Sequence, residues 1–270
     1  MTPADKAYKK VIGNIIMNGE RVHTRNGWAL SITDADGITF TSSPWITLRD
    51  RISFDKALLE MQWILSGDPR CPDKLADWWK GQLDPDGNYW AGYGEQLRRY
   101  GGTFDQIEWL IEAIITHPNS RRLITTTWNP EDMSQITELN GNRNTPTTCH
   151  GTVVQYFVRN KRLHLVVFQR SADIMLGVPH NWIQYWAYGC WLAHRTGYAL
   201  ASLRWLFGDV HLYDEPSHIQ AAKDIINYRS NTTTNYVFSY APTSKEFLAS
   251  DFKIISDTPQ PATSIRPKLL

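Results

Sequence analysis

Apolar positions recur along this chain at helical spacing in some stretches and at strand spacing in others. Phe54, Ala57, Leu58, Met61 and Leu65 fall on one side of a 3.6-residue repeat, behind Ser53 as a capping residue. Thr103 and Gln106 have capping-box spacing, which predicts a helix from Thr103. Its stripe is Phe104, Ile107, Leu110, Ile111, Ile114 and Ile115, and Pro118-Asn119 ends it. Trp182 to His194 reads as a wide apolar helix at the centre of the fold. Pro216 to Tyr228 reads as another, with Ile219, Ala222, Ile225 and Ile226 on one face. Leu123 to Trp128 is rich in β-branched residues. Thr152 to Val158 and Arg162 to Phe168 flank Arg159-Asn160-Lys161, a hairpin-turn signal. Helices and strands mix without regular βαβ alternation, which predicts an α+β fold, a mixed sheet with helices packed on it. The tail after Pro259 is Pro-rich and expected to be irregular.

Composition narrows the class. At 270 residues the chain is expected to be a single domain spanning 1–270. Apolar residues make up 42% and charged residues 20%, which are globular values. The net charge of +1 and the lack of a basic stripe argue against nucleic acid as partner. No apolar run is long enough to span a membrane, and Met1 to Lys10 lacks a signal-peptide core. Cys71, Cys149 and Cys190 are too scattered for a disulfide framework, and no Cys/His spacing suggests a metal. A reducing, cytoplasmic setting with free thiols is therefore expected. Twelve Trp and twelve Tyr exceed ordinary usage; most of them fill core, and some could line a pocket for a flat ligand.

Three groups of residues could carry chemistry. Cys149-His150 opens a strand after the polar stretch 142–148. A lone cysteine is more often an inert core residue, and one acting as a nucleophile needs cationic or helix-terminal help to form thiolate. Arg25, Arg121-Arg122 and Arg170-Ser171 could be solvated surface or, if they converge, a bidentate anion site. Gly208-Asp-Val-His-Leu-Tyr213 reads as a polar loop with alternating His and Tyr; in a strand, His211 and Tyr213 would point the same way, as a structural pair or as part of a site.

Taken together these stretches resemble the thymidylate synthase family. Phe168-Gln-Arg-Ser-Ala-Asp-Ile-Met-Leu-Gly-Val-Pro-His-Asn181 is similar to its QRSxDxxLGxPFN stretch, and Gly208 to Tyr213 is similar to its GDxHLY. Asn119-Ser-Arg-Arg122 resembles DSRR, Trp128-Asn129 and Cys149-His150 match WN and CH, and Pro267 falls at the tail proline. The resemblance implies a homodimer with the sheet as its interface. It implies transfer of a one-carbon unit from 5,10-methylenetetrahydrofolate to C5 of dUMP, giving dTMP. Cys149 would be the nucleophile that adds to C6. Glu60, three residues before Trp63 on an otherwise apolar helix, would organise proton transfer with Tyr93, and His150 would order a water near the base. Arg25, Arg121, Arg122, Gln169, Arg170 and Ser171 match the nucleotide and phosphate contacts, with Arg121 and Arg122 reaching from the other subunit. His211 and Tyr213 match the sugar 3'-hydroxyl contacts. Asp173 matches a pterin contact and a catalytic role, and Trp78, Trp79, Leu176, Gly177, His180 and Lys268 fall on the folate side. No metal is implied. Asn181 can donate to O4 and accept from N3–H, which suits uracil; as an alternative it would merely cap a helix starting at Trp182.

The departures cluster on the folate side. His180 stands where the family has Phe, Lys268 where the tail is apolar, and Trp78 and Gln82 alter the tryptophan wall. A wetter folate side would suit a dUMP hydroxymethylase, in which water rather than hydride quenches the exocyclic methylene. A nucleotide-binding homologue without turnover would have lost Cys149 or Glu60, and both are present.

Overall fold

A computed structural model describes residues 1–24, 26–50, 52–90, 92–135, 148–229 and 236–256. The first element, α1 (Pro3–Asn18), starts on a reciprocal cap. Thr2 Oγ1 accepts the Asp5 amide at 3.0 Å, and the Asp5 carboxylate accepts the Thr2 amide at 2.7 Å. Its lysines mask a buried stripe of Tyr8, Val11, Ile12 and Ile15, so the sequence reading misses this helix. Then follow β1 (Glu20–Thr24), β2 (Gly27–Ile32), β3 (Ile38–Phe40), α2 (Phe54–Ser66), α3 (Ala76–Trp79), α4 (Tyr93–Arg98), α5 (Gln106–Thr116) and β4 (Ile124–Thr126). After β5 (Val153–Arg159) and β6 (Arg162–Asp173) come α6 (Gly177–Arg195), β7 (Ala199–Tyr213), α7 (Pro216–Asn227), β8 (Tyr236–Tyr240) and β9 (Phe252–Ser256). Among the described residues no helix is long and apolar enough to cross a membrane.

The fold is α+β. A mixed sheet runs in the order β1-β2-β7-β6-β5-β4, with β3 also on β7, and β8 and β9 pair separately. β5 and β6 form the expected hairpin; Asn160 and Lys161 take positive φ in its turn (50° and 55°). β6 and β7 are parallel and joined through α6, a single βαβ unit within an otherwise antiparallel sheet. α6 is buried nearly all round, from Val178 to Ala193, because the sheet lies on one side and α2 on another. The opposite sheet face leaves Phe157, Val166, Phe168 and Leu206 half-buried.

Two helix starts differ from expectation. α5 begins at Gln106, capped by Asp105, whose carboxylate accepts the amides of Ile107 and Glu108 at 3.0 Å. Gly101 and Gly102 turn through positive φ, and Tyr100 pairs with Phe104, so Thr103 lies in a turn and Phe104 is exposed. α6 begins four residues before Asn181, not after it. Asp173 Oδ1 accepts the amides of Met175 (2.8 Å) and Leu176 (3.0 Å) and nucleates the turn that leads into it. Asn181 is therefore inside the helix and caps nothing.

Candidate active site

The C-terminal ends of β6 and β7 lie side by side, with Gln169 opposite Phe207, Ser171 opposite Asp209 and Asp173 opposite His211. Ligands in α/β units gather at this end of parallel strands. Cys149 reaches it from the loop that precedes β5, since the strand opens at Val153 and not at Cys149-His150 as expected. Its amide donates to Tyr93 Oη at 2.7 Å, and its carbonyl accepts the Arg170 amide at 2.9 Å. The Arg170 guanidinium donates through Nε to the Thr148 carbonyl (2.9 Å), lies over the Trp128 ring at 5.1 Å and puts Nη2 3.8 Å from Cys149 Sγ. A fixed cation beside sulfur favours thiolate. By contrast, burial pushes the Cys190 thiol up to about 12 and the Cys71 thiol, further raised by Glu60, up to about 11. No disulfide joins the cysteines among the described residues.

His150 stacks on Tyr93 with centroids 4.3 Å apart, and its Nδ1 lies 3.2 Å from Tyr185 Oη. Burial pushes its pKa down to about 3, so the ring is neutral at working pH. Gly151 turns at φ 58° directly over Tyr185; a Cβ there would sit 1.8 Å from the Tyr185 hydroxyl. Only glycine fits.

Glu60 is buried on α2. Trp79 Nε1 donates to its Oε1 at 2.5 Å and Gln184 Nε2 donates to its Oε2. Burial pushes its carboxyl up to about 7 against these two hydrogen bonds, which pull it down. From Gln184 a line of amides runs inward. Asn181 Nδ2 donates to Gln184 Oε1 (3.0 Å), Gln169 Nε2 donates to Asn181 Oδ1 (3.1 Å), and Trp205 Nε1 donates to Gln169 Oε1 (3.1 Å). Aromatic contacts close the circuit on the other side: Trp205 to Tyr185 (5.4 Å), His150 to Tyr93, and Tyr93 to Trp79 (6.2 Å).

Near the C-terminal end of β7, His211 Nδ1 meets Asp209 Oδ1 at 2.5 Å, and Ser31 Oγ donates to Asp209 Oδ2 at 2.5 Å. Burial raises the Asp209 pKa, but these bonds outweigh it and hold the carboxyl below its ordinary range. Tyr213 packs edge-on to His211 at 5.1 Å and accepts from Asn26 Nδ2 at 3.2 Å. On the far side of Asn181, His180 is buried against Trp78 at 4.7 Å, with Lys56 over the Trp78 ring at 5.3 Å. Nδ1 lies 2.8 Å from the Leu176 carbonyl, which can only accept, so Nε2 accepts the Ser53 amide at 3.1 Å. Burial pushes its pKa down to about 4.

Within this circuit and around it the structure brings together Cys149, His150, Tyr93, Glu60, Trp79, Gln169, Arg170, Ser171, Asp173, Asn181, His211 and Tyr213, with Trp78, Leu176, Gly177 and His180 beside them. Arg121 and Arg122 are exposed next to β4, and no hydrogen bond or ion pair links them to Arg170 among the described residues. Arg25 and Lys268 lie outside the described residues. The sequence reading missed Gln184, Tyr185, Trp205 and Gly151. Gln184 had a signal, its capping-box spacing of three from Asn181.

Over residues 6–268 the sequence matches the thymidylate synthase family. The chain belongs to that family. The fold agrees: a thermostable thymidylate synthase A from Bacillus subtilis superposes with a TM-score of 0.76, covering 93% of this chain and 94% of that one at 27% identity. Thymidylate synthases are one-carbon transferases with methylenetetrahydrofolate as co-substrate, and family and fold make this chain a one-carbon transferase of the type that acts on dUMP. The chemistry of the residues around His180 suits a flat, donor-bearing group such as a pterin: a half-buried Trp78 indole and the Asp173 carboxylate, whose Oδ1 accepts the Met175 and Leu176 amides. Among the described residues no cluster could hold a metal ion.

Proposed function

We propose that this chain converts dUMP to dTMP through a transient bond between Cys149 and C6 of the base. The observation that carries this reading is the Arg170 guanidinium 3.8 Å from Cys149 Sγ, in a loop tied to β6 by the Arg170 amide on the Cys149 carbonyl. Sulfur adds to C6, and the electron pair moves through C5 toward O4. C5 then becomes nucleophilic toward the one-carbon unit, which methylenetetrahydrofolate supplies together with the reducing hydride. Glu60, poised near neutrality, delivers a proton toward O4 and assists the later loss of the original C5 hydrogen as a proton. That loss breaks the bond from the one-carbon unit to the folate nitrogen, and hydride then adds to the methylene as the C6–sulfur bond breaks and Cys149 leaves as thiolate. Tyr93, whose hydroxyl accepts the Cys149 amide, positions the nucleophile.

Asn181 reads the base. One Nδ2 hydrogen goes to Gln184 and one Oδ1 lone pair to Gln169; the second hydrogen and second lone pair match O4 and N3–H of uracil. Cytosine needs the reverse pattern. The amide cannot reverse without setting Gln169 against Trp205, whose indole only donates. Asp209 holds the Nδ1 proton of His211, leaving Nε2 to accept a 3'-hydroxyl proton. Arg121 and Arg122, exposed in the single chain, complete the phosphate grip of a second copy seated on the half-buried sheet face.

The hydroxymethylase reading rests on a polar folate side. His180 does not support it, because both ring nitrogens are taken by Leu176 and Ser53 and the ring is neutral. Incubation with dUMP and methylenetetrahydrofolate separates the two. Dihydrofolate and dTMP are the expected products; tetrahydrofolate and a nucleotide one oxygen heavier would overturn methylation.

A further inference from the structure

We propose that Gln184 is a positioning residue that turns the acid proton of Glu60 away from the protein and toward bound water and nucleotide. This rests on the reading of Glu60 as the proton carrier for a uracil nucleotide. The constraint originates at Trp205. Its indole N–H is a donor only, so Gln169 must face it with Oε1 and face Asn181 with Nε2. Asn181 then offers Oδ1 to Gln169 and Nδ2 to Gln184, and Gln184 takes that hydrogen with Oε1. The orientation of Gln184 is thereby set, and its Nε2 meets Glu60 Oε2. Trp79, again a donor only, occupies Oε1.

Both protein neighbours of Glu60 are thus donors. When the carboxyl takes up a proton, neither can accept it. A reversed Gln184 would accept it, but each amide behind it would have to reverse too, ending with an N–H against the Trp205 N–H. An unmet donor pair of this kind in a buried site is strongly disfavoured. The proton therefore points off the amide line. The other titratable groups coupled to Glu60 are Cys71 and Tyr185, both pushed upward, chiefly by burial, and so uncharged near neutrality. They leave the carboxyl's ionisation to burial and to the two donors.

Two measurements test this. In the nucleotide-free wild-type protein, the Gln184 side-chain amide resonance, assigned by its loss in Gln184→Met, should shift with a midpoint near that of Glu60, about 7. An amide insensitive to pH between about 6 and 8 would overturn the contact, whatever the substrate. In Gln184→Met, loss of a donor to the carboxylate should move the midpoint of the kcat profile with dUMP up by about one pH unit. A lowered kcat with an unmoved midpoint would show a merely structural role and overturn the proposal. Absence of dUMP turnover in the wild type would refute the functional reading instead, and the amide titration would still decide the contact.

Discussion

Replacing Glu60 by Gln isolates the energetic consequence of keeping a carboxylate inside this core. Glu60 is 7% exposed, and burial, partly offset by Gln184 and Trp79, pushes its pKa from an ordinary 4.5 up to about 7. At 1.36 kcal/mol per pH unit, the gap amounts to about 3 kcal/mol. Below pH 4.5 the group is protonated in both folded and unfolded chains and costs nothing. As pH rises from 4.5 to about 7, the unfolded chain releases its proton while the folded chain retains it. Folding stability falls across that window and is level above it. Glu60→Gln has no such dependence. It does carry a constant cost of about 1–3 kcal/mol, because its new amide N–H group meets that of Gln184 or Trp79. Urea unfolding of both proteins from pH 4.5 to 8 gives the difference directly. The wild type should lose about 3 kcal/mol relative to the variant between pH 4.5 and 7 and nothing more above it. A difference that changes by less than about 1 kcal/mol over this range would refute a buried, proton-holding Glu60.

Gly151→Ala should destabilise the fold by about 2–4 kcal/mol, from a left-handed backbone at φ 58° and a Cβ 1.8 Å from the Tyr185 hydroxyl. Urea unfolding measures it, and a loss under about 1 kcal/mol would show that Tyr185 is not fixed beneath the loop. An Arg121→Ala/Arg122→Ala double variant and a Cys149→Ser variant should each be inactive alone. Mixed in equal amounts with subunit exchange, they should recover about a quarter of wild-type activity, since half the dimers then carry one intact site. No recovery would place the arginines outside the partner's site.

Much of the fold was legible in the sequence because apolar period and turn chemistry agree there. Ser53 caps α2 as expected, and the β5–β6 hairpin turns at Asn160-Lys161. Boundaries failed where a competing cap or turn intervened. Asp105 displaced Thr103, and the Asp173 turn started α6 ahead of Trp182. α1 was invisible because its charged residues hide the stripe, and β7 because Gly208 interrupts a long strand. The candidate site residues stood out as motifs, but their couplings did not. Nothing in a linear chain shows that Trp205 sets the amide of Asn181 through Gln169, or that Gln184 joins Asn181 to Glu60. These links arise only when β6, β7, α6 and α2 meet. His180 shows the reverse case: polar in sequence, it is a neutral, fully engaged brace between α6 and the start of α2.

Mass spectrometry of the denatured protein after incubation with 5-fluoro-dUMP and methylenetetrahydrofolate tests the central claim most directly. Fluorine at C5 cannot leave as a proton, so the sulfur–carbon bond should persist. One nucleotide per chain is expected on the peptide that contains Cys149, and none in Cys149→Ser. An unlabelled chain, or label on Cys71 or Cys190, would contradict the account.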